Sequence, residues 1–327
     1  MKLRIHTTLL LLGLIGLAVI IALNTHQLNT FVHLLKGLRW YVIVAIIVVQ
    51  VASYYINALY YQSILKVFGY SIQTGRLFQG ALATNFVNYL VPSAGVAGAG
   101  FLSQVLYPDV PRGEGVLAQF LRYAFSSLAV LLMLPVGLTL IYFGSHTSPT
   151  IYRITIFSVA GILAAAILII TAIHHEQMMR RFIKLLERRL KRLFARFEKQ
   201  AVEKFVNDFY AGYHAIIKRK RLMWTPFVWS MIYIVIEIFT FYLAFLAFGK
   251  TVGFGIAIMS YLLANIASLF GGAIFSTGVF ELGMAGTLVA LGQPLALAVS
   301  VTLVYRILNL LISLPPGFYF YKKYLPS

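Results

Sequence analysis

Long uncharged apolar runs, separated by short polar segments, recur along the whole chain. A run of roughly 17 to 25 apolar residues is long enough to cross a bilayer as a helix. Six runs meet this requirement, namely residues 7–23, 40–62, 116–143, 151–173, 224–248 and 295–320. The pattern predicts an all-α polytopic membrane protein with about six transmembrane helices.

Two further apolar runs, residues 77–108 and 255–292, contain helix breakers near their middle. The breakers are Pro92, Gly95, Gly98 and Gly100 in the first run, and Gly271, Gly272, Gly278 and Gly283 in the second. Proline removes a backbone donor, and glycine costs about 1 kcal/mol in a helix interior. Backbone freed in this way is tolerated at membrane depth only where protein or a water-filled cavity satisfies it. Both runs are therefore predicted to form broken re-entrant hairpins that line an interior site.

The two halves of the chain follow the same plan. Each has a span, a broken hairpin, and a second span that carries one arginine and ends in proline and glycine. Asn85 precedes Arg122 by 37 residues, and Asn265 precedes Arg306 by 41. The first hairpin is expected to open from the cytoplasm and the second from outside, which predicts an inverted repeat of the kind that transporters use. The alternative is that glycine-rich membrane helices merely resemble one another.

These elements predict one membrane domain over residues 1–327. Its parts are an N-terminal span and loop at 1–38, a first repeat at 39–143, a linking span and basic segment at 144–223, and an inverted second repeat at 224–321. This topology places 21 Lys and Arg on the cytoplasmic side and four outside, as the positive-inside rule requires. We expect a multi-pass protein of a prokaryotic cell membrane with cytoplasmic N- and C-termini.

Composition excludes several classes of protein. Hydrophobic residues make up 60% of the chain and charged residues 11%, which leaves too little polar surface for a soluble or disordered protein. There is no cysteine, so a disulfide scaffold, a thiol nucleophile and an iron–sulfur site are excluded. No motif for a cofactor, a catalytic metal or a nucleotide-binding loop is present, and we expect no cofactor and no direct use of ATP.

The net charge of +18 is concentrated in one segment. Residues 176–221 hold fourteen Lys and Arg and five acids. Apolar residues recur there at spacings of three and four, which predicts one helical stripe flanked by basic side chains. We expect this helix to lie on the anionic inner leaflet, with docking to a cytoplasmic partner as the alternative. Nucleic-acid binding is not expected, because no stacking or groove-reading module accompanies the charge.

Four ionisable residues are expected at membrane depth, namely Arg122, Glu237, Glu281 and Arg306. Such residues are costly in hydrocarbon and usually face a cavity or a partner. The arginines are suited to bind a lipid phosphate, since guanidinium offers a planar fork of donors. Alternatively, Glu281 pairs with Arg306 to hold a hairpin against a span. For Glu237 a structural hydrogen bond is expected.

Short motifs carry a family resemblance. They are Asn88-Tyr-Leu-Val-Pro92-Ser-Ala-Gly95, Gly278-Val-Phe-Glu281, Leu303-Val-Tyr-Arg306 and Pro316-Gly317. On these motifs, residues 30–321 resemble the lysylphosphatidylglycerol synthetase/flippase membrane-domain family, also called the flippase-like domain family. Two features depart from the family pattern: Ile274-Phe-Ser276 stands where the family has Pro-Gly-Gly, and an arginine usual after the first glycine cluster is missing.

The resemblance implies binding and transbilayer movement of a polar lipid or lipid-linked intermediate. The expected substrate-binding residues are Asn85, Asn88, Pro92, Gly95, Gly98, Arg122, Asn265, Gly278, Glu281 and Arg306. Members that transfer lysine carry a soluble catalytic domain after the membrane part, whereas this sequence stops at Ser327, so we expect no enzymatic activity. A module that presents lipid to a separate synthase or transferase, a small-solute permease, and assembly into a homo-oligomer stay open.

Overall fold

The computed structural model describes residues 37–144 except 92 and 94, positions 160 and 164, and residues 220–325 except 271. The predicted span 7–23 and Pro92 lie outside the described residues, as do all but two residues of the predicted span 151–173 and nearly all of the basic segment 176–221. Within the described part, all regular structure is helical. The predicted all-α class is confirmed.

Eight α-helices are described, and we number them in chain order. They are α1 Trp40–Phe68, α2 Thr74–Leu90, α3 Val96–Leu106, α4 Arg112–Gly144, α5 Trp224–Ala247, α6 Phe254–Phe270, α7 Gly272–Ala290 and α8 Leu295–Tyr324. Helices α1, α4, α5 and α8 are long and apolar enough to cross a membrane. They correspond to the spans predicted at 40–62, 116–143, 224–248 and 295–320. Helix α1 runs six residues further than predicted, because nothing interrupts it before Gly69.

Helices α2 and α3 form the first broken hairpin, and the two helices pack against each other. At the outer ends, the Arg76 guanidinium donates from Nε and Nη2 to the Val105 carbonyl at 3.0 and 2.6 Å and pairs with Asp109. At the break, Gly98 N–H donates to Asn88 Oδ1 at 3.0 Å. Because the two helices are linked near both ends, they run antiparallel.

Helices α6 and α7 form the second broken hairpin and also pack together. The chain reverses direction between them, because a Cβ added to Gly283 of α7 would lie 3.0 Å from Ala267 Cβ of α6. Within α7, Gly278 has φ 102°. Among the described residues, Gly95 and Gly278 thus place backbone irregularities within the glycine clusters that the sequence indicates.

Several features of the described helices recur at a separation of 180 residues. Helices α2 and α6 both have 17 residues and begin at 74 and 254. Helices α1 and α5 are followed by Gly69 and Gly249, both with positive φ. The amides of Gly69 and Gly249 donate to the carbonyls three residues earlier, and the next amides donate to the carbonyls five residues earlier. This is the same C-terminal capping motif at equivalent positions, and Asn85/Asn265 and Pro135/Pro315 keep the same separation.

The described chain divides into two compact units of matching make-up. The α2–α3 unit comprises that hairpin with residues 53–68 of α1, 112–135 of α4, 224–235 of α5 and 313–324 of α8. The α6–α7 unit comprises the other hairpin with residues 40–52 of α1, 136–144 of α4, 236–247 of α5 and 295–312 of α8. Each unit therefore contains one hairpin and part of each of the four long helices.

Close helix packing at the glycine of a Pro-x-Gly motif is common to both units. In the α2–α3 unit, a Cβ added to Gly317 of α8 would lie 2.7 Å from the Leu82 carbonyl oxygen of α2. In the α6–α7 unit, a Cβ added to Gly137 of α4 would lie 2.8 Å from Ile258 Cγ2 of α6. Small residues allow helices to approach closely in membranes, where packing drives helix association. Each glycine thus seats a long helix against the first helix of a hairpin.

Candidate functional site

Arg122 lies in α4 within the α2–α3 unit, and only 8% of it is exposed. Its Nη1 donates to Asn57 Oδ1 of α1 at 3.4 Å. The guanidinium also lies over the rings of Tyr61 and Tyr123, at 5.4 and 5.0 Å from their centroids. No described carboxylate lies within ion-pair distance of Arg122. The cation is therefore held by π faces and a neutral amide.

Hydrogen bonds fix α1 against α4 around this arginine. Tyr61 O–H donates to Gln119 Oε1 of α4, and Tyr60 O–H donates to the Arg122 carbonyl at 2.8 Å. Tyr60, Tyr61 and Gln119 are all at most 1% exposed. We call Asn57, Tyr61, Gln119, Arg122 and Tyr123 the Arg122 cluster.

The break of the first hairpin is connected to the Arg122 cluster through Asn88. Asn88 Oδ1 accepts from Gly98 N–H, and its Nδ2 donates to Tyr123 O–H at 3.4 Å. A Cβ on Gly98 would lie 2.6 Å from Asn88 Cγ, and a Cβ on Gly95 would lie 2.7 Å from the Tyr123 ring. The two glycines make room for the polar side chains that connect the hairpin to α4.

The amides at the start of α3 are already bound to protein acceptors. Val96 N–H donates to the Ser93 carbonyl at 3.1 Å, Ala97 N–H to Ser93 Oγ at 2.8 Å, and Gly98 N–H to Asn88. A helix start can bind an anion through free amides, but these three are occupied. The geometry favours close packing as the role of Gly95 and Gly98.

Glu281 and Arg306 form an ion pair in the α6–α7 unit. Arg306 Nε and Glu281 Oε1 are 2.6 Å apart, and each side chain is 18% exposed. Glu281 Oε2 accepts from Gly278 N–H at 2.6 Å, so the carboxylate reaches back to cap the helix turn that begins at this glycine. The Phe280 ring lies 5.4 Å from the Arg306 guanidinium. We call Gly278, Phe280, Glu281 and Arg306 the Arg306 cluster.

Glu237 has the hydrogen bonds that the sequence indicated. It is 2% exposed in α5. It accepts from Gln50 Nε2 at 3.2 Å and from Tyr305 O–H at 2.8 Å. Tyr305 precedes Arg306 in α8, so this carboxyl holds α1, α5 and α8 together beside the Arg306 cluster.

The predicted site residues fall into two groups and two outliers. Asn88, Gly95 and Gly98 meet the Arg122 cluster, while Gly278, Glu281 and Arg306 form the second cluster. Asn85 is half-buried and has no side-chain hydrogen bond to a described residue. Asn265 Nδ2 donates to the Tyr261 carbonyl of its own helix at 2.8 Å, so among the described residues neither asparagine contacts a cluster through a hydrogen bond. Sequence reasoning missed Asn57, Gln119 and Tyr123, although polar residues inside apolar runs were a signal for them.

The sequence that folds into these spans, broken hairpins and clusters is similar to those of known membrane proteins. A family model described as the lysylphosphatidylglycerol synthase TM region matches residues 8–317. The chain belongs to this family. A UPF0104 membrane protein of Methanothermobacter thermautotrophicus is 36% identical over 83 residues, which is 25% of each chain. The match thus spans about a quarter of that relative's length, and no solved structure matches.

Family membership confirms the resemblance that the motifs carried. The match covers all eight described helices except the end of α8, so it concerns the membrane architecture as a whole. Together with four helices long enough to span, it makes the chain a multi-pass, lipid-related membrane protein. The family description names the membrane region of an enzyme, and the clusters around Arg122 and Arg306 lie in that region.

Proposed function

We propose that the chain binds a polar lipid, or a lipid-linked intermediate, and moves its headgroup across the cytoplasmic membrane without acting as an enzyme. The observation that carries this proposal is Arg122, a buried guanidinium without a described carboxylate partner in a lipid-related membrane domain. An ionised side chain at membrane depth is costly and usually marks a substrate pathway. A phosphate headgroup would supply the missing negative charge.

The lengths of the hairpin helices support re-entry from one side of the membrane. Helix α3 has 11 residues and is about 16 Å long, and α2 has 17 residues and is about 25 Å long. The hydrocarbon core is about 30 Å thick. The bonds of Arg76 to Val105 bring the outer ends of α2 and α3 together, as a hairpin that returns to its own side requires.

The 180-residue repeat supports an inverted arrangement of the two halves. Helices α2 and α6 begin and end 180 residues apart, and Gly69 and Gly249 cap α1 and α5 at the same separation. Each unit combines one hairpin with parts of all four long helices. With the orientation that the positive-inside rule favours, the α2–α3 hairpin opens to the cytoplasm and the α6–α7 hairpin to the outside. Such a plan gives a substrate equivalent access from both faces of the membrane.

Presentation of lipid to a separate synthase is the second candidate function. The family description favours it, because it names the membrane region of a synthase. A presenting module needs to bind a headgroup but not to move it. Translocation in a purified system therefore separates the two functions.

The test uses the purified chain reconstituted into phosphatidylcholine vesicles that contain fluorescent phosphatidylglycerol. Quenching by a membrane-impermeant reductant measures the rate at which lipid leaves the inner leaflet. We expect the wild type and Arg112→Lys, at the exposed start of α4, to exceed the rate of protein-free vesicles, and Arg122→Lys to be about tenfold or more slower than the wild type. A wild-type rate equal to that of protein-free vesicles would exclude translocation and leave the presenting module.

The topology is part of the proposal and can be tested separately. The chain lacks cysteine, so Ser145→Cys and Gln200→Cys each introduce one reactive thiol. We expect an impermeant thiol reagent to label Ser145→Cys in intact cells and Gln200→Cys only after lysis. The reverse pattern would contradict cytoplasmic termini and the assigned hairpin openings.

A further inference from the structure

Two buried donors of the Arg122 cluster have no acceptor among the described residues. They are Gln119 Nε2 and Arg122 Nε, both on α4. Gln119 is 0% exposed and Arg122 8%. Buried donors in folded proteins are almost always hydrogen-bonded, so each exception calls for a partner.

The two donors are placed to act together. Residues three apart on a helix share one face, so Gln119 and Arg122 are neighbours along α4. Tyr61 O–H donates to Gln119 Oε1, which commits the amide oxygen and leaves the amide N–H groups for another acceptor. Arg122 Nη1 donates to Asn57 Oδ1 at 3.4 Å, and this bond does not involve Arg122 Nε. One face of the helix therefore presents a charged donor and a neutral donor.

We propose that Gln119 Nε2 and Arg122 Nε bind one phosphate-type anion, with Gln119 as a ligand alongside the arginine. The site is electropositive, because the guanidinium faces only aromatic rings and neutral groups in the described structure. Two unpaired donors on one helix face suit neighbouring oxygens of one phosphate. The assignment of that phosphate to a lipid headgroup rests on the proposed function.

The second arginine is not equivalent to the first. At the 180-residue separation, Thr302 stands opposite Arg122, and Arg306 stands opposite Ser126, one helical turn further along. Arg306 is also neutralised by Glu281. The repeat therefore places an arginine in each half but leaves only the Arg122 cluster, among the described residues, with an unpaired cation at membrane depth.

Of the two rings over the guanidinium, Tyr123 is the more exposed, and we expect an entering anion to displace it. It is half-buried, its ring lies over the guanidinium, and its hydroxyl is held by the 3.4 Å bond from Asn88. Gly95 leaves the space that the ring occupies. Movement of Tyr123 would uncover Arg122 and at the same time loosen the link to the hairpin.

Gln119→Glu tests the site without changing the shape of the side chain. The carboxylate can still accept from Tyr61 O–H, but it replaces the amide donor and supplies Arg122 with an internal counter-ion. We expect the thermal midpoint of the purified chain without ligand to rise. A ligand that binds the folded state raises the midpoint, and we expect this response to be lost in the variant.

The probes are dioleoylphosphatidylglycerol, dioleoylphosphatidylcholine and inorganic phosphate, each added in detergent at matched ionic strength. We expect phosphatidylglycerol to raise the midpoint of the wild type and of Arg112→Gln, which removes an exposed charge from the same helix, but not of Gln119→Glu. A response to inorganic phosphate as well supports a site that takes any phosphate, and a response to phosphatidylglycerol alone supports a headgroup site. Arg122→Lys is the second variant and keeps the positive charge without the planar set of guanidinium donors. Phosphatidylglycerol should raise its midpoint less than that of the wild type.

Two results would overturn the anion site. One is a Gln119→Glu midpoint that responds to phosphatidylglycerol as the wild type does, and the other is a wild type that responds to neither anionic probe. The vesicle measurement separates this site from the proposed function. If Gln119-dependent binding occurs without lipid movement, the site stands and translocation fails. If the wild type moves lipid while both variants bind normally, translocation stands and the site is wrong.

Discussion

The Arg122 and Arg306 clusters show how one residue type can be used in two ways on the same repeated framework. Both arginines lie in the second long helix of a half, beside a broken hairpin. Arg306 is paired with a carboxylate at 2.6 Å, whereas Arg122 has two tyrosine rings and an asparagine. Because an internal ion pair satisfies the charge and an aromatic setting does not, Arg306 is suited to structure and Arg122 to binding.

The equivalent glycines Gly98 and Gly278 sharpen the contrast. Each donates its backbone N–H to a side chain, to Asn88 Oδ1 in the first half and to Glu281 Oε2 in the second. Asn88 passes the contact to α4 through the neutral hydroxyl of Tyr123, and Glu281 passes it to α8 through Arg306. The first hairpin is thus joined to its span by weak neutral bonds and the second by an ion pair.

Loss of the ion pair should have the largest effect on stability. Glu281→Gln removes the carboxylate that pairs with Arg306, and because the pair is only partly buried, its loss should cost less than the roughly 3–5 kcal/mol of a fully buried pair. We expect a clear fall in the unfolding midpoint in detergent. Neutralising both residues, with Glu281→Gln and Arg306→Gln together, should recover most of the loss. A midpoint unchanged in the single variant would contradict a structural role for the pair.

Much of the framework was open to prediction because its signals are local. The lengths of the apolar runs predicted α1, α4, α5 and α8, and the proline and glycine clusters predicted both breaks. The partners of Arg122 were not predictable, because Asn57 and Tyr123 reach it only when α1 and α4 pack together. The spacings from Asn85 to Arg122 and from Asn265 to Arg306 indicate the repeat, yet they differ by one helical turn. The 180-residue separation is visible instead in Phe68-Gly69 and Phe248-Gly249.

Crowding at the first break should have the next largest effect. Gly98→Ala would place a Cβ 2.6 Å from Asn88 Cγ, and overpacking of this kind costs about 1–3 kcal/mol. Gly100→Ala is the matched control in the same helix, because a Cβ there meets no atom within 4 Å and alanine favours a helix by about 1 kcal/mol. We expect the first variant to lower the unfolding midpoint and the second to leave it equal or higher. An equal fall in the unfolding midpoint of both variants would show that Asn88 does not pack against Gly98.

Removal of single tyrosine hydroxyls should have smaller effects that still differ between the units. Tyr305→Phe takes a donor from the buried Glu237 carboxyl, and loss of a partner by a buried polar group costs about 1–3 kcal/mol. Tyr60→Phe takes a donor from the Arg122 carbonyl, and a neutral bond is worth about 1 kcal/mol. We expect the unfolding midpoint to fall further for Tyr305→Phe. A larger fall in the midpoint for Tyr60→Phe would mean that the stronger of the two hydrogen bonds lies in the α2–α3 unit.

The central claim is that Arg122 binds the headgroup and Arg306 holds the structure. Lipid translocation in reconstituted vesicles tests it most directly, with Arg122→Lys compared with the double variant Arg306→Gln, Glu281→Gln. Loss of a charge-assisted bond worth about 1.5–3 kcal/mol predicts a rate about tenfold or more below wild type for Arg122→Lys. The double variant should keep most of the wild-type rate once its folded fraction is matched. Normal movement with Arg122→Lys, together with loss in the folded double variant, would contradict the account.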